Sequence, residues 1–540
     1  MKLKLVIAIV LAALLVGAGA VLTYGFLFSP AVDDAIKLIP ADSKLYVNFF
    51  LDPSNSQKQA LENIIESSPL KSPDGAKKEL FDLLNQPLKE QGCSVEEDFE
   101  PWVGKQMSFF ISDFGEEPDG ALLVATENED AALAAFNKCS EEEIDYKEKS
   151  YEGIDYRVTP EGEALGIIDG YLVAGTEDGV KSVVDTSAGK ASLDDSDRYR
   201  DAVAEHHDHI ALMYFDFRGL LDQLRDSGEL DVPDLAALQF VYDFVGTRPL
   251  TLSFFAERDA LVLETFMGLP TGSSGLASAY AASIAPQILS QLPQGAWGAI
   301  ASGSVGKFTD AVLDLVDERG IPGASRAELE AQFEKETGLS LGADLLSWIG
   351  DVGLFVQGTT PTTVSGGAVI ESTDRAAAQR AVMVLGKYAA REGASVKPLS
   401  IQGVKGFSIQ DRTMPQPVNV AVGADRVVIA YGNLATHQAL EGEATLSESE
   451  VFQDAQDALG SDYSMSWFIE ADTVQQFVED TVLPGITTFD PATGTLVPDT
   501  QAREDYEADV KPIIEPLKFV SVGSAIDGET LKSKLVVGIE

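Results

Sequence analysis

Two stretches of this chain are copies of one pattern, and that repetition limits the possible folds more than any other feature. Residues 93–139 and 339–385 match at a constant offset of 246. "CSVEEDFEPWVGKQMSFFIS" begins at Cys93 and "LSLGADLLSWIGDVGLFVQG" at Leu339. Trp102 falls on Trp348, Gly104 on Gly350 and Gly120 on Gly366. The match extends outward: "AIKLIPADSKLYVNFFLD" from Ala35 pairs with "IAPQILSQLPQGAWGAIASG" from Ile284, and "LVLETFMGL" from Leu261 pairs with "LKSKLVVGI" from Leu531. The offset drifts from 246 to 270, which puts about 24 inserted residues into the second copy, where surface loops absorb them. The expected organisation is therefore a first α+β repeat over 29–269, a Gly/Ser-rich linker over 270–283, and a second repeat over 284–540.

Within each copy the hydrophobic period alternates. "SFFIS", "ALLVATE", "YLVAGT", "IALMYFDF" and "LTLSFFAE" are short β-branched or aromatic runs bounded by turn residues, and they read as strands. "NEDAALAAFNKC" and "STDRAAAQRAVMVLGKYAA" have helical spacing. Thr126-x-x-Glu129 and Ser447-x-x-Glu450 read as capping boxes. Tight turns at Asp169-Gly170, Arg258-Asp259 and Asp527-Gly528 favour antiparallel pairing. The predicted fold class is α+β: two tandem homologous modules, each a mainly antiparallel sheet with helices on one face, after an N-terminal transmembrane helix.

That helix is read from residues 5–28, which carry no charge. At about 1.5 Å per residue they reach roughly 36 Å, enough for a hydrocarbon core of about 30 Å. Lys2 and Lys4 precede the run, while Asp33 and Asp34 follow it. The positive-inside bias leaves residues 1–4 as a cytoplasmic stub and places the bulk outside the cytoplasm. The expected localisation is a single-pass cell-membrane protein that meets the lipid bilayer through residues 5–28. A cleaved signal peptide is the competing reading, with Ala18-Gly19-Ala20 as the cleavage site, but the apolar run continues through Phe28.

An exported location permits disulfides. The only cysteines, Cys93 and Cys139, are replaced by Leu339 and Leu385 in the second copy, which marks both positions as buried. If they touch, an oxidising compartment joins them; otherwise they are two small buried hydrophobes. The charge balance, 86 acidic against 39 basic residues, repels nucleic-acid phosphate, so no nucleic-acid partner is expected. The acids are spread along both copies, as on a solvated surface.

Chemistry-bearing motifs are few. His206, His207 and His209 with Asp208 form "EHHDHI", the one grouping that suggests a metal-dependent hydrolase. Adjacent side chains point apart, however, and the matched "ALGSDY" has no histidine. "GSVGK" at 303–307 fails the phosphate-loop spacing, and Ser304 is more simply a cap for the helix that follows. Trp102 and Trp348 hold equivalent places, which argues for packing. No catalytic, cofactor-binding or metal residue is assigned, and no cofactor is expected; the site expectation is the Cys93/Cys139 pair.

"LIPADSKLYVNFF" after an apolar N-terminus, "WVGKQMSFFISDF" and "GALLVAT" resemble the bacterial domain-of-unknown-function family 3352. The resemblance implies a membrane-attached extracytoplasmic protein and supplies no catalytic residues. The leading expectation is a binding or interaction protein of the cell envelope, with another envelope protein as partner. The alternatives are a carrier of an apolar or lipid ligand, in a cleft between or within the repeats, and the hydrolase built on His206–His209.

Overall fold

The computed structural model describes residues 32–67, 92–115, 118–139, 146–206, 208–226, 245–270, 274–319, 325–399, 404–411, 414–490 and 495–540, with isolated positions between them. The expected membrane segment 5–28 lies outside these residues, as does His207. Among the described residues no helix is long and apolar enough to cross a membrane. The chain divides into two compact units, Met1–Asp226 with Thr247–Gly268, and Ser227–Gly246 with Leu269–Glu540.

The first unit is a mixed helix and antiparallel-sheet structure. Its described strands are β1 (Leu45–Phe50), β2 (Val103–Asp113), β3 (Asp119–Thr126), β4 (Lys147–Tyr151), β5 (Ile154–Val158), β6 (Glu163–Ile168), β7 (Tyr171–Thr176), β8 (Ala211–Phe215), β9 (Leu250–Glu257) and β10 (Ala260–Gly268). They pair antiparallel in the order β10-β9-β8-β1-β2-β3-β7-β6-β5-β4. The Asp169-Gly170 turn joins β6 to β7 with both residues at positive φ, 47° and 80°, the geometry that matches strand twist in a two-residue hairpin.

The second unit has β11 (Ala296–Ser302), β12 (Ile349–Gln357), β13 (Ser365–Ser372), β14 (Val396–Pro398), β15 (Lys405–Ile409), β16 (Val418–Val422), β17 (Arg426–Tyr431), β18 (Ser464–Glu470), a small separate hairpin of β19 (Thr487–Asp490) and β20 (Thr495–Pro498), then β21 (Leu517–Asp527) and β22 (Thr530–Ile539). The main sheet runs β22-β21-β18-β11-β12-β13-β17-β16-β15-β14, again antiparallel throughout. Position for position, this is the strand order of the first unit.

Local hydrogen bonding repeats as well. Ser94 caps the turn Val95–Phe99 by accepting from Glu97 N, and Ser340 caps Leu341–Leu345 by accepting from Ala343 N. Trp102 Nε1 donates to Asp98 O at 2.6 Å, and Trp348 Nε1 donates to Asp344 O at 2.9 Å. Each Trp thus plugs the turn before its strand with a buried ring. Leu193 N donates to Ile39 O at 2.7 Å, and Leu446 N donates to Leu292 O at 2.8 Å. These bonds tie matching Pro40 and Pro293 segments to the chain beside them.

Three sequence expectations need correction. Helices lie on both faces of the first unit's sheet, not on one. Helix Glu177–Ser187 packs Val180, Val183 and Val184 against Ala121, Leu123 and Val173, while helix Glu129–Cys139 packs Ala132 and Ala135 against Leu122, Val124 and Leu172. β3 is the reason: its unbroken apolar run offers burial to both sides. The caps also lie two residues later than the boxes suggest. Asn128 Oδ1 accepts from Ala131 N at 3.1 Å, and Ser449 accepts from Phe452 N. In the second case a 3-10 turn over Leu446–Glu448 takes up the earlier serine.

Candidate functional site

The second unit carries two adjoining uncharged rows on one sheet face that cross eight strands and are exposed from Trp467 to Ile429. Register places Leu535, Val522, Trp467, Ile300, Leu354, Ala368, Ile429 and Val420 side by side, from β22 to β16. Val537, Val520, Ile469, Gly298, Val356, Gly366, Tyr431 and Val418 form the next row on the same face. None of these residues is charged. Trp467 is 39% exposed, Ile300 50%, Leu354 48%, Val356 40% and Ile429 38%. A contiguous apolar patch on a sheet face is an interaction feature, because scattered single hydrophobes suffice to explain ordinary surface composition.

Helix Arg375–Arg391 explains where the cover ends. Its Ala377, Ala378, Ala381 and Val382 pack with Leu339 and Trp348 over Val420, Val422 and Val427. The rows emerge beyond that, from Ile429 toward Trp467. The corresponding row of the first unit runs Leu252, Met213, Val47, Phe109, Leu122, Ala174, Leu165. Here Leu122 and Leu165 are buried, and Phe109 and Ala174 pack into the cluster around Trp102, Ala132 and Ala135. Gly298 stands five residues after Pro293, where the first unit has Leu45 five after Pro40. A Cβ built on Gly298 would meet nothing within 4 Å, so the strip has an open floor there.

The sequence-derived residues lie elsewhere. His206 places Nδ1 2.8 Å from Ser253 Oγ and Nε2 2.7 Å from Thr251 Oγ1, and its ring stacks on Phe266 at 4.5 Å. Both ring nitrogens are taken up by buried hydroxyls. His209 packs on Phe50, and Asp208 accepts from the hydroxyls of Ser54 and Ser56. His206, Asp208 and His209 therefore face three different surroundings. Cys93 and Cys139 form a disulfide with Cα atoms 5.8 Å apart. With Asp98 they make the one described triplet of His, Cys, Asp or Glu whose ligand atoms lie within 4.8 Å of one another. Sulfur committed to a disulfide is no thiolate ligand. Burial alone would raise the Asp98 carboxyl, but Lys138, at 2.7 and 2.9 Å, and Ser94 N hold it below its ordinary value.

A second polar concentration lies inside the first unit. Asp33 accepts from Tyr46 OH at 2.8 Å, Gln106 Nε2 at 2.6 Å and Ile36 N at 3.1 Å. Asn48, Ser108 and Tyr171 extend the network around Gln106. Burial pushes the Asp33 carboxyl up to about 6 against the pull of these donors. The network pins the turn Ala35–Leu38 to β2, since Gln106 Oε1 also accepts from Ala35 N. In the second unit a cavity of about 50 Å³ is lined by Ile288, Asp351, Glu371, Asp425 and Arg426.

The apolar rows escaped the sequence reading. Their signal was the unbroken "VGLFVQ" of β12, which reads equally as a strand buried on both sides.

Comparison with known proteins gives one extended match. A family model described as "Protein of unknown function (DUF3352)" covers residues 5–502. No curated protein matches. Similar solved structures include crystal forms III, IV and I of TP0453, at 12%, 12% and 13% identity. These cover 45%, 44% and 45% of this chain and 82%, 81% and 82% of theirs, each with a TM-score of 0.24.

Proposed function

This chain belongs to the DUF3352 family, and from that premise we propose a non-enzymatic binding protein that holds an apolar partner against the open sheet face of its second unit. The observation that carries the reading is the pair of uncharged rows from Trp467 to Ile429, left uncovered where a folded sheet normally buries such residues. The proposal has two further parts. The units are copies of one ancestral module, which the repeated strand order and the matched Ser94–Trp102 and Ser340–Trp348 turns support. Residues 5–28 tether the protein to a membrane with its bulk outside the cytoplasm, which the uncharged 5–28 run and its flanking charges support.

Photocrosslinking in living cells tests the binding role. A photoreactive residue in place of Leu354 in the full-length chain should capture a cellular component. The same residue in place of Lys335, on the polar helix Arg326–Thr337, serves as the control. Equal capture at both positions removes the proposal.

A further inference from the structure

We infer that the Cys93–Cys139 pair is a redox-gated metal site: once a dithiol reduces the disulfide, the two thiolates and the Asp98 carboxylate take up one zinc ion. The site is separate from the open sheet face and stands independently of the binding role proposed above.

The first observation is convergence. Among the described residues, Cys93, Asp98 and Cys139 are the one group of His, Cys, Asp or Glu whose ligand atoms all lie within 4.8 Å of one another. At zinc distances of about 2.3 Å to sulfur and about 2.1 Å to oxygen, tetrahedral ligation puts two sulfurs about 3.8 Å apart and each sulfur about 3.6 Å from the carboxylate oxygen. Sulfurs released from a disulfide therefore part by about 1.7 Å. Rotation about the two Cα–Cβ bonds supplies that with the Cα atoms where they are, 5.8 Å apart. Thiolates select zinc over calcium or magnesium. Three protein ligands leave the fourth tetrahedral place to water.

The second is a carboxylate already committed to a cation. Asp98 accepts from Lys138 Nζ at 2.7 and 2.9 Å and from Ser94 N at 3.0 Å. These donors keep it ionised against burial, as a metal ligand must be. Zinc takes over the charge of the ammonium, and Lys138, whose side chain is 49% exposed, turns out into water. The bond from Ser94 N to Oδ2 stays and orients the carboxylate on the metal.

The third is the contrast with the second unit. Asp344 accepts from Ser340 N at 3.0 Å and from the same kind of turn, but Leu339, Val384 and Leu385 stand at the offset of 246 from Cys93, Lys138 and Cys139. Leu339 and Leu385 pack beside Trp348 there. The turn thus folds without sulfur. What the first unit adds around the shared aspartate is two soft ligands and a displaceable cation.

The dithiol supplies two electrons and two protons: its own sulfurs join in a cyclic disulfide while Cys93 and Cys139 become thiols. Zinc then displaces one proton from each thiol as the two sulfurs ligate.

The test uses the full-length chain in detergent, reduced with a dithiol and desalted under argon. Titration with Cd²⁺ should raise a thiolate-to-cadmium charge-transfer band that saturates at one equivalent, and Zn²⁺ should compete it away. Elemental analysis after desalting should find one zinc per reduced chain and none per oxidised chain. Asp98→Asn keeps an oxygen for Ser94 N and should weaken zinc binding at least about tenfold, the smallest loss seen even for partners outside the ligand shell. Cys93→Leu/Cys139→Leu, which carries the second unit's residues, should bind none, with circular dichroism matching the parent's. Zinc should also restore hydrogen-exchange protection across 93–139 of the reduced chain, since it closes the same loop, and leave 339–385 unchanged. Zinc held equally by the oxidised and reduced chains is adsorption on the acidic surface and overturns the inference. A reduced chain that gives no cadmium band overturns it too, as does zinc affinity that ignores Asp98→Asn.

Discussion

Breaking the Cys93–Cys139 disulfide should destabilise the first unit selectively. The bond closes a loop over a sequence separation of 46. Loop-closure entropy for that length amounts to about 4 kcal/mol at 25 °C. For a unit of this size, 1 kcal/mol moves the melting midpoint by about 2–4 °C, so full reduction should lower the first unit's midpoint by roughly 8–16 °C. The second unit supplies an internal reference, because Leu339 and Leu385 fill the matched positions beside Trp348 without a crosslink. A Cys93→Leu/Cys139→Leu variant keeps apolar contacts and loses only the covalent restraint, so it should fall by about the same amount. The assay is scanning calorimetry with and without a dithiol, paired with peptide-resolved hydrogen exchange. Protection should drop across 93–139 and hold across 339–385. An equal loss in both segments, or a midpoint that does not move on complete reduction, would refute the argument that the crosslink acts by restricting the unfolded first unit.

Asp33→Asn should change how stability depends on pH. The folded carboxyl titrates near 6 and the unfolded one near 3.8, so the native state holds the proton more tightly. The stability associated with the protonated group is full below pH 3.8 and is lost as pH rises through 6, by no more than about 3 kcal/mol. Asn should remove that decline, and chemical denaturation curves for the two proteins that stay parallel from pH 4 to 7 would contradict it. His206→Phe keeps the stacking on Phe266 but leaves Thr251 and Ser253 without their ring partner, at a cost of about 1–3 kcal/mol in urea denaturation. It should leave zinc content by elemental analysis the same as in the parent protein. Trp102→Phe and Trp348→Phe each remove one indole donor to a turn carbonyl and should cost similar amounts, about 1–2 kcal/mol, measured unit by unit through hydrogen exchange.

Much of the plan was legible because it is written in short-range chemistry. Ser94, Asp98 and Trp102 lie close together in the chain, and their hydrogen bonds recur at Ser340, Asp344 and Trp348. The Asp169-Gly170 hairpin is equally local. Cap positions slipped by two residues at Asn128 and Ser449, since several Ser, Thr and Asn side chains compete within one turn for the same backbone donors. In "EHHDHI" neighbouring residues project in different directions, so His206 meets β9 while His209 meets Phe50.

The amino-acid order alone determined the α+β class and the places of the two tryptophans, because each follows from periodicity and from bonds between near neighbours. It could not determine which sheet face stays open. Trp467 and Ile300 are 167 residues apart in the chain yet directly opposite in the ladder, and Leu354 joins them from a third strand. Whether such a row is covered depends on where helix Arg375–Arg391 comes to rest, a balance of packing over the whole unit that no local pattern encodes.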